Sequence, residues 1–399
     1  MHTKLLLFSK TYCDVLCESY FCDMRIFLSE NSLIIFPKKC ICLVFTMKAV
    51  LGLEDGTILT GTGFGVEGQA SGELIVNLAS NGYMEALSDP GVSGQLLMFG
   101  YPLVGNYGAD KDQLQSSKVH AAGTIVRELC TQPKHQPTLS SFFEENGLIG
   151  IEGIDTRRLT IKLREEGVMR AAVITGSDDG KAAVALARAS PIQETRELIP
   201  AVTCDEAYRI EGSGKKIAVL DLGCKKSVFQ SLQKRGADLY VYPYGTTADV
   251  ILENKPDALF VTNGPGYPLA APKAIQTVKD ILGTIPVQGI CMGSEIIAAA
   301  LGAEFEKLKL GHRGASQPVK FSDGTVAVTF QSHGYAVKAD SLPEGCAVTC
   351  INANDGTLEG FENTDLGITC VQFQPEHDAM YDGAEKPIYD IMYRGIPDA

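Results

Sequence analysis

The sequence predicts an α/β protein with two domains of different character. The first is mixed and β-rich; the second is built on a mostly parallel sheet with helices on both faces. Three observations carry this expectation. From Lys215 onward, buried strand patterns alternate with helical ones, and most of the strands run into Gly-containing turns. That alternation demands parallel strands with helical crossovers. Between Met47 and Gly176, short β-like runs are instead separated by turn signals such as Asp55-Gly56 and Asp89-Pro90-Gly91. A length of 399 residues also suits two ordinary domains.

In chain order, residues 1–46 are rich in Cys, Phe, Leu and Lys and lack Gly. The apolar run Leu5–Phe8 is too short for a signal-peptide core, so this segment is expected to be an upstream extension, with Met47 as the physiological start. Residues 47–180 form the N-terminal domain. It opens with a strand, the Asp55-Gly56 turn and a second strand, followed by strands at Glu73–Leu78 and Gln95–Phe99. Helices are expected over Ser140–Asn146 and Asp155–Glu166. The second is capped by Asp155 or Thr156, with Leu159, Ile161 and Leu163 supplying apolar contacts. Residues 181–214 read as a connector, Ala-rich and helical over Lys181–Ala189 and then punctuated by Pro191, Pro200 and Glu211-Gly212-Ser213-Gly214. The second domain, 215–395, alternates four strands with four helices up to Gly302.

Composition excludes several functions. A net charge of -13 repels nucleic acid and anionic membrane, and no basic run offsets it. No segment reaches 18 uninterrupted apolar residues, so none is expected to span a bilayer. The 12 cysteines show no paired spacing and read as reduced thiols of a cytoplasmic protein; no metal or nucleotide site is expected on this chain.

The chemistry concentrates at two strand exits. Pro286–Gly293 reads as a strand, a sharp turn at Cys291 and a helix start, with Gly289 and Gly293 flanking the cysteine at minus and plus two. Such a turn projects the side chain outward, and the helix N-terminus favours thiolate. The Met292 N–H points where an oxyanion would form, and the loop Asn263-Gly264-Pro265-Gly266 offers the Gly266 N–H as a second donor.

A thiol nucleophile needs an imidazole, and a carboxylate to orient it. The run Gln374-Pro375-Glu376-His377 ends another strand. Here the sequence resembles the class I glutamine amidotransferase family, whose corresponding run is His-Pro-Glu. Glu376 matches that Glu, but Gln374 stands at the His position and cannot accept a thiol proton. His377 is three residues beyond Gln374 and falls on the opposite face of an extended chain, so it serves as an alternative base only if the backbone turns at Pro375.

The resemblance extends over about residues 47–395 to the small chains of carbamoyl-phosphate synthetases. It is carried by LEDGTILTGTGFG (53–65), GYMEALSDPGVSGQLLMFGYPLVGNYG (82–108), SSKVHAAGTIVREL (116–129), GIDTRRLTIKLREEG (153–167), GHRGASQPV (311–319) and SHGYAV (332–337). It implies Cys291 as nucleophile and Glu376 as orienting acid, with Gly264, Gly266, Met292, Ser332, Gly334 and Tyr335 around the substrate glutamine. It also marks departures: Glu295 where the family has a substrate-contacting Gln, Ala79 where it has a pocket Ser, and Ser332 where it usually has Asn. Glu295, one turn from Cys291, adds a negative charge that opposes thiolate. The implied partner is a large chain that binds ATP and Mg and receives ammonia through a tunnel. Two readings remain open: a working glutaminase subunit, or a non-catalytic structural or regulatory subunit of an ammonia-using synthetase. Another amidotransferase, such as an aminobenzoate-type synthase component, leaves the first domain unexplained.

Overall fold

The computed structural model describes residues 26–29, 32–35 and 46–376. His377, and the stretch of the second domain beyond it, lie outside the described residues. Residues 1–46 form one compact unit and the chain from Met47 another. Within the first, β1 (Ile26–Ser29) and β2 (Ser32–Ile35) pair antiparallel.

The second unit begins with β3 (Met47–Leu53) and β4 (Ile58–Gly65), antiparallel about the turn at Asp55, whose carboxylate accepts from Thr57 N at 2.8 Å. These join β5 (Gly68–Asn77), β6 (Gln95–Phe99), β8 (Gly123–Ile125), β10 (Ile149–Glu152) and β11 (Met169–Thr175) in a closed barrel of order β10-β4-β3-β11-β5-β6-β8. A small pair, β7 (Leu103–Val104) and β9 (Glu128–Leu129), lies outside it. Closure leaves the barrel no free edge. Leu51, Leu74, Leu96, Met98, Ile125 and Val173 fill its core.

Both helices expected in this domain form, and a short one that was not expected precedes them. Helix α1 (Tyr83–Ser88) precedes the Asp89 turn, and α2 (Leu139–Glu145) is capped by Thr138. Asp155 caps α3 (Thr156–Glu166), accepting from Arg158 N at 3.0 Å. Leu159 and Leu163 are buried, but Ile161 is 41% exposed. At 100° per residue, Ile161 falls off the stripe that the two leucines share. Helix α4 (Gly180–Ala189), assigned to the connector from sequence, packs on the barrel instead. A Cβ at Gly52 would sit 2.5 Å from Val184 N, so the strand and helix backbones touch. The passage between domains therefore runs from Ser190.

The second domain carries a ten-stranded sheet of order β12-β14-β13-β15-β16-β21-β20-β19-β17-β18. Its parallel core is β14 (Asp238–Pro243), β13 (Lys216–Asp221), β15 (Ala258–Val261), β16 (Val287–Ile290) and β21 (Ile368–Val371). Strand β12 (Tyr208–Ile210) adds antiparallel at one edge, and β20 (Leu358–Asn363), β19 (Ala347–Asn352), β17 (Phe305–Phe321) and β18 (Val326–Val337) at the other. Helices α5 (Lys226–Lys234), α6 (Ala248–Glu253), α7 (Pro272–Ile281) and α8 (Met292–Ala300) are the expected crossovers. Ile296 and Ile297 of α8 are fully buried, each contributing about 1.5–3 kcal/mol.

The turn at residues 88–92 approaches the carboxyl end of β13, where a Cβ at Gly223 would lie 3.1 Å from Pro90 Cβ, and further contacts join the two domains. Lys226 N donates to Gln115 O at 2.8 Å, Lys307 pairs with Glu73 at 2.7 Å, and the Arg196 guanidinium donates to Gly94 O at 3.3 Å. Sites in open α/β sheets form beyond those strand ends. Here the barrel roofs that position.

Candidate active site

Cys291 caps α8 with φ 51° and ψ −116°, one of two non-glycine residues with positive φ among the described residues. Such a conformation costs about 1–3 kcal/mol and persists only where its surroundings over-determine it. They do: Cys291 N donates to Val371 O at 2.9 Å, and Glu295 N donates back to Cys291 O at 3.2 Å. Gly293 permits the bend, because a Cβ there would lie 2.0 Å from Val261 O.

The sequence places the thiol outward, but Cys291 is only 3% exposed, at the floor of a polar pocket. The pocket wall brings together Gly264, Gly266, Met292, Glu295, Ser332, Gly334 and Tyr335, all expected around a substrate. Gly266, at φ 98°, turns the 263–266 loop toward the cysteine. Ala79 is not on this wall. It lies past the end of β5, its N–H held by Asn77 Oδ1 at 2.8 Å, and the barrel supplies Glu73, Gly91 and Gln95 instead. The pocket encloses about 30 Å³. That is room for about two waters.

Helix-dipole stabilisation of a thiolate does not prevail. Burial pushes the Cys291 thiol well up, Glu295 adds to the shift, and the Met292 N–H opposes it. The thiol donates toward Ser332 O at 3.8 Å. Glu295 also differs from expectation. Burial raises its carboxyl to about 8, against the hydrogen bond from Gln372 Nε2 at 2.8 Å. At neutral pH it is therefore mostly uncharged, and where it ionises it opposes the thiolate as expected, adding to the rise of the Cys291 thiol.

The opposite wall is the β21 exit. Gln374 is 1% exposed, and its Nε2 approaches Cys291 Sγ at 4.0 Å. Its Oε1 accepts from Lys225 Nζ at 2.5 Å, and the same ammonium pairs with Glu376. Gln374 and Glu376 thus face one side, as alternation in an extended chain requires. The amide donates toward sulfur and cannot take its proton. His333, beside Ser332, does not replace it: Nδ1 lies 2.7 Å from Tyr335 O and Nε2 2.9 Å from Gln331 Oε1. Among the described residues, no imidazole lies within hydrogen-bond distance of the thiol.

Sequence reasoning missed Lys225, Arg313 and Glu73. Lys225 had a signal: it sits in the Gly turn that follows the first parallel strand, where such folds place ligands. Arg313, 7% exposed, donates to Leu310 O at 2.8 Å, and burial lowers its pKa. Glu73, on a barrel strand, had no local signal, because only tertiary packing brings it here.

Comparisons with known proteins place both domains in one family. The profile of the carbamoyl-phosphate synthase small chain, CPSase domain, matches residues 51–173, and that of class I glutamine amidotransferase matches residues 218–389. The carbamoyl phosphate synthase small chain of Methanosarcina mazei is 51% identical over 347 residues, covering 84% of this chain and 94% of its own. That of Archaeoglobus fulgidus is 42% identical over 335 residues, covering 83% and 94%, and that of Bacillus cereus 39% over 351 residues, covering 87% and 95%. A match of this extent over both domains, with the strained cysteine turn in place, means that the chain belongs to the carbamoyl phosphate synthase small-chain family.

Proposed function

We propose that this chain is the cytoplasmic glutamine-hydrolysing subunit of a carbamoyl-phosphate synthetase. It passes ammonia to a large chain that carries ATP and Mg. The observation that supports this most is the Cys291 turn, held at φ 51° against the 263–266 loop.

The Cys291 sulfur attacks the glutamine carboxamide carbon, and the carbonyl electron pair moves to oxygen, where the Gly266 and Met292 amides stabilise it. Collapse breaks the C–N bond as the proton taken from the thiol passes to the leaving nitrogen, so that ammonia departs and a thioester remains, which water hydrolyses to glutamate and the free thiol. Glu295, on the pocket wall in the first turn of the helix that Cys291 caps, serves as acceptor of the thiol proton, with a carboxyl that burial raises to about 8. Arg313 and Glu73 offer one charge of each sign to an amino-acid zwitterion. Without an imidazole at position 374, base catalysis by the expected group is lost, which lowers the rate by roughly 10²–10⁴.

A second reading, a non-catalytic subunit of an ammonia-using synthetase, is favoured by one observation: Gln374 occupies the place of the base, held by the Lys225 ammonium. Carbamoyl phosphate formation by the two-chain complex, from glutamine and from ammonium, separates the two. Glutamine-dependent synthesis that Cys291→Ser abolishes supports hydrolysis; synthesis from ammonium alone rejects it.

A further inference from the structure

We propose that His312, His333 and Glu359 form a site for one divalent transition-metal ion, zinc by the chemistry of its donors, that stiffens the strand carrying Ser332 and Gly334 to Cys291. The site does not depend on turnover at Cys291.

His312 and His333 are direct cross-strand partners on β17 and β18, with ring centroids 5.0 Å apart and planes at 87°. Glu359 reaches them from β20. One nitrogen of each ring and a carboxylate oxygen all lie within 4.8 Å of one another, and the three residues are buried. A tetrahedral ion with bonds of 2.0–2.2 Å draws such atoms to about 3.3 Å, a closure that small side-chain rotations supply. Two imidazoles and a carboxylate suit zinc better than calcium or magnesium, which take oxygen.

Two features call for a cation at this place. Glu359 is fully buried, yet its Oε2 has no hydrogen-bond partner. His333 has an oxygen acceptor opposite each ring nitrogen, Tyr335 O and Gln331 Oε1. A neutral imidazole carries one N–H, which cannot serve both acceptors. With the proton on Nδ1 toward Tyr335 O, Nε2 presents a lone pair. His312 is arranged alike: Nε2 meets Asp355 Oδ2 at 2.9 Å, leaving Nδ1 toward Glu359 Oε1 at 3.4 Å. A ring nitrogen fixed by a carboxylate or carbonyl, with the other free to ligate, is the usual outer-shell pattern of metal-bound histidine. The Asn352 amide now lies in this gap, donating to Glu359 Oε1 at 3.0 Å, and an ion would displace it. The expectation of no metal rested on cysteine spacing and did not reach these residues, which the sequence scatters over 48 positions (359 minus 312, plus one).

The test uses the full chain with its large partner, stripped by a chelator and titrated with Zn²⁺ and, separately, Co²⁺. One ion should bind per small chain and raise its melting temperature by on the order of 5 °C. The cobalt form should show visible d–d bands without a sulfur charge-transfer band, which excludes the cysteines as ligands. Glu359→Gln should abolish binding. Asp355→Asn alters a partly exposed side chain that the fold tolerates and should weaken binding by about 10–100-fold. The same stoichiometry in both variants, thiolate bands, or no binding overturns the proposal; if Glu359→Gln fails to fold, Asp355→Asn decides alone.

Discussion

The Cys291 elbow and the strand exit that faces it, where Gln374 Nε2 lies 4.0 Å from the sulfur, differ in what they retain. On the elbow wall, everything that depends on backbone is in place: positive φ, glycines at the close contacts, and the α8 N-terminus behind the sulfur. On the facing wall the strand exit is also in place, and residues 374 and 376 share one side. The side chain that should move a proton is an amide. Nucleophile geometry and nucleophile activation are thus separable: the first is set by chain path, the second by a single side chain and by burial. Burial works against activation here, because it pushes the thiol up and leaves Glu295 to titrate near 8.

The largest test removes the elbow's chemistry. Cys291→Ser in the two-chain complex should lower glutamine-dependent carbamoyl phosphate synthesis by about 10³-fold or more, with ammonium-dependent synthesis unchanged. Equal loss with both nitrogen sources would mean that the cysteine serves assembly rather than chemistry.

Restoring the facing wall comes next. Gln374→His should raise glutamine turnover by roughly 10²-fold, read as kcat. An unchanged kcat would show that the absent imidazole is not what limits the site.

Glu295 sharpens the comparison through pH. As a base it must be ionised, so the wild-type rate should climb as pH rises through about 8. Glu295→Gln should flatten that climb and cost about 10²-fold in kcat at pH 8.5. The same group bears on stability. Its folded-state pKa lies above the usual 4.5, so stability is full below that value and falls as pH rises toward about 8. Above it, Glu295→Gln should be the more stable protein by on the order of 3–5 kcal/mol in urea unfolding. Parallel stability curves for the two proteins would reject a buried neutral carboxyl.

The smallest effect concerns the elbow's frame. Gly293→Ala puts a methyl into Val261 O and should destabilise by about 2–3 kcal/mol, measured as a lower urea midpoint. A neutral result would mean that the bend is less constrained than its contacts imply.

Much of the fold was legible in the sequence because it is encoded in short windows. The parallel strands and crossover helices of the second domain show as apolar runs ending in Gly turns, and α3 shows in its Asp155 cap and leucine stripe. Ile161 was misplaced because alternation by two was read onto a helix, and α4 because the segment between domains gives no sign of what it packs against. At the site, Cys291, Gly264, Gly266 and Met292 were legible because they lie on two local turns.

Sequence by itself determined the elbow, the loop beside it and the absence of histidine at position 374, since each is a matter of residue type within a few neighbours. Tertiary structure alone decided that Glu73, Gly91 and Gln95 come from the barrel to line the pocket, that Lys225 holds Gln374, and that Glu295 is neutral at pH 7. Proximity between residues far apart in the chain, and the free energy of a charge removed from water, are properties of packing that no local window contains.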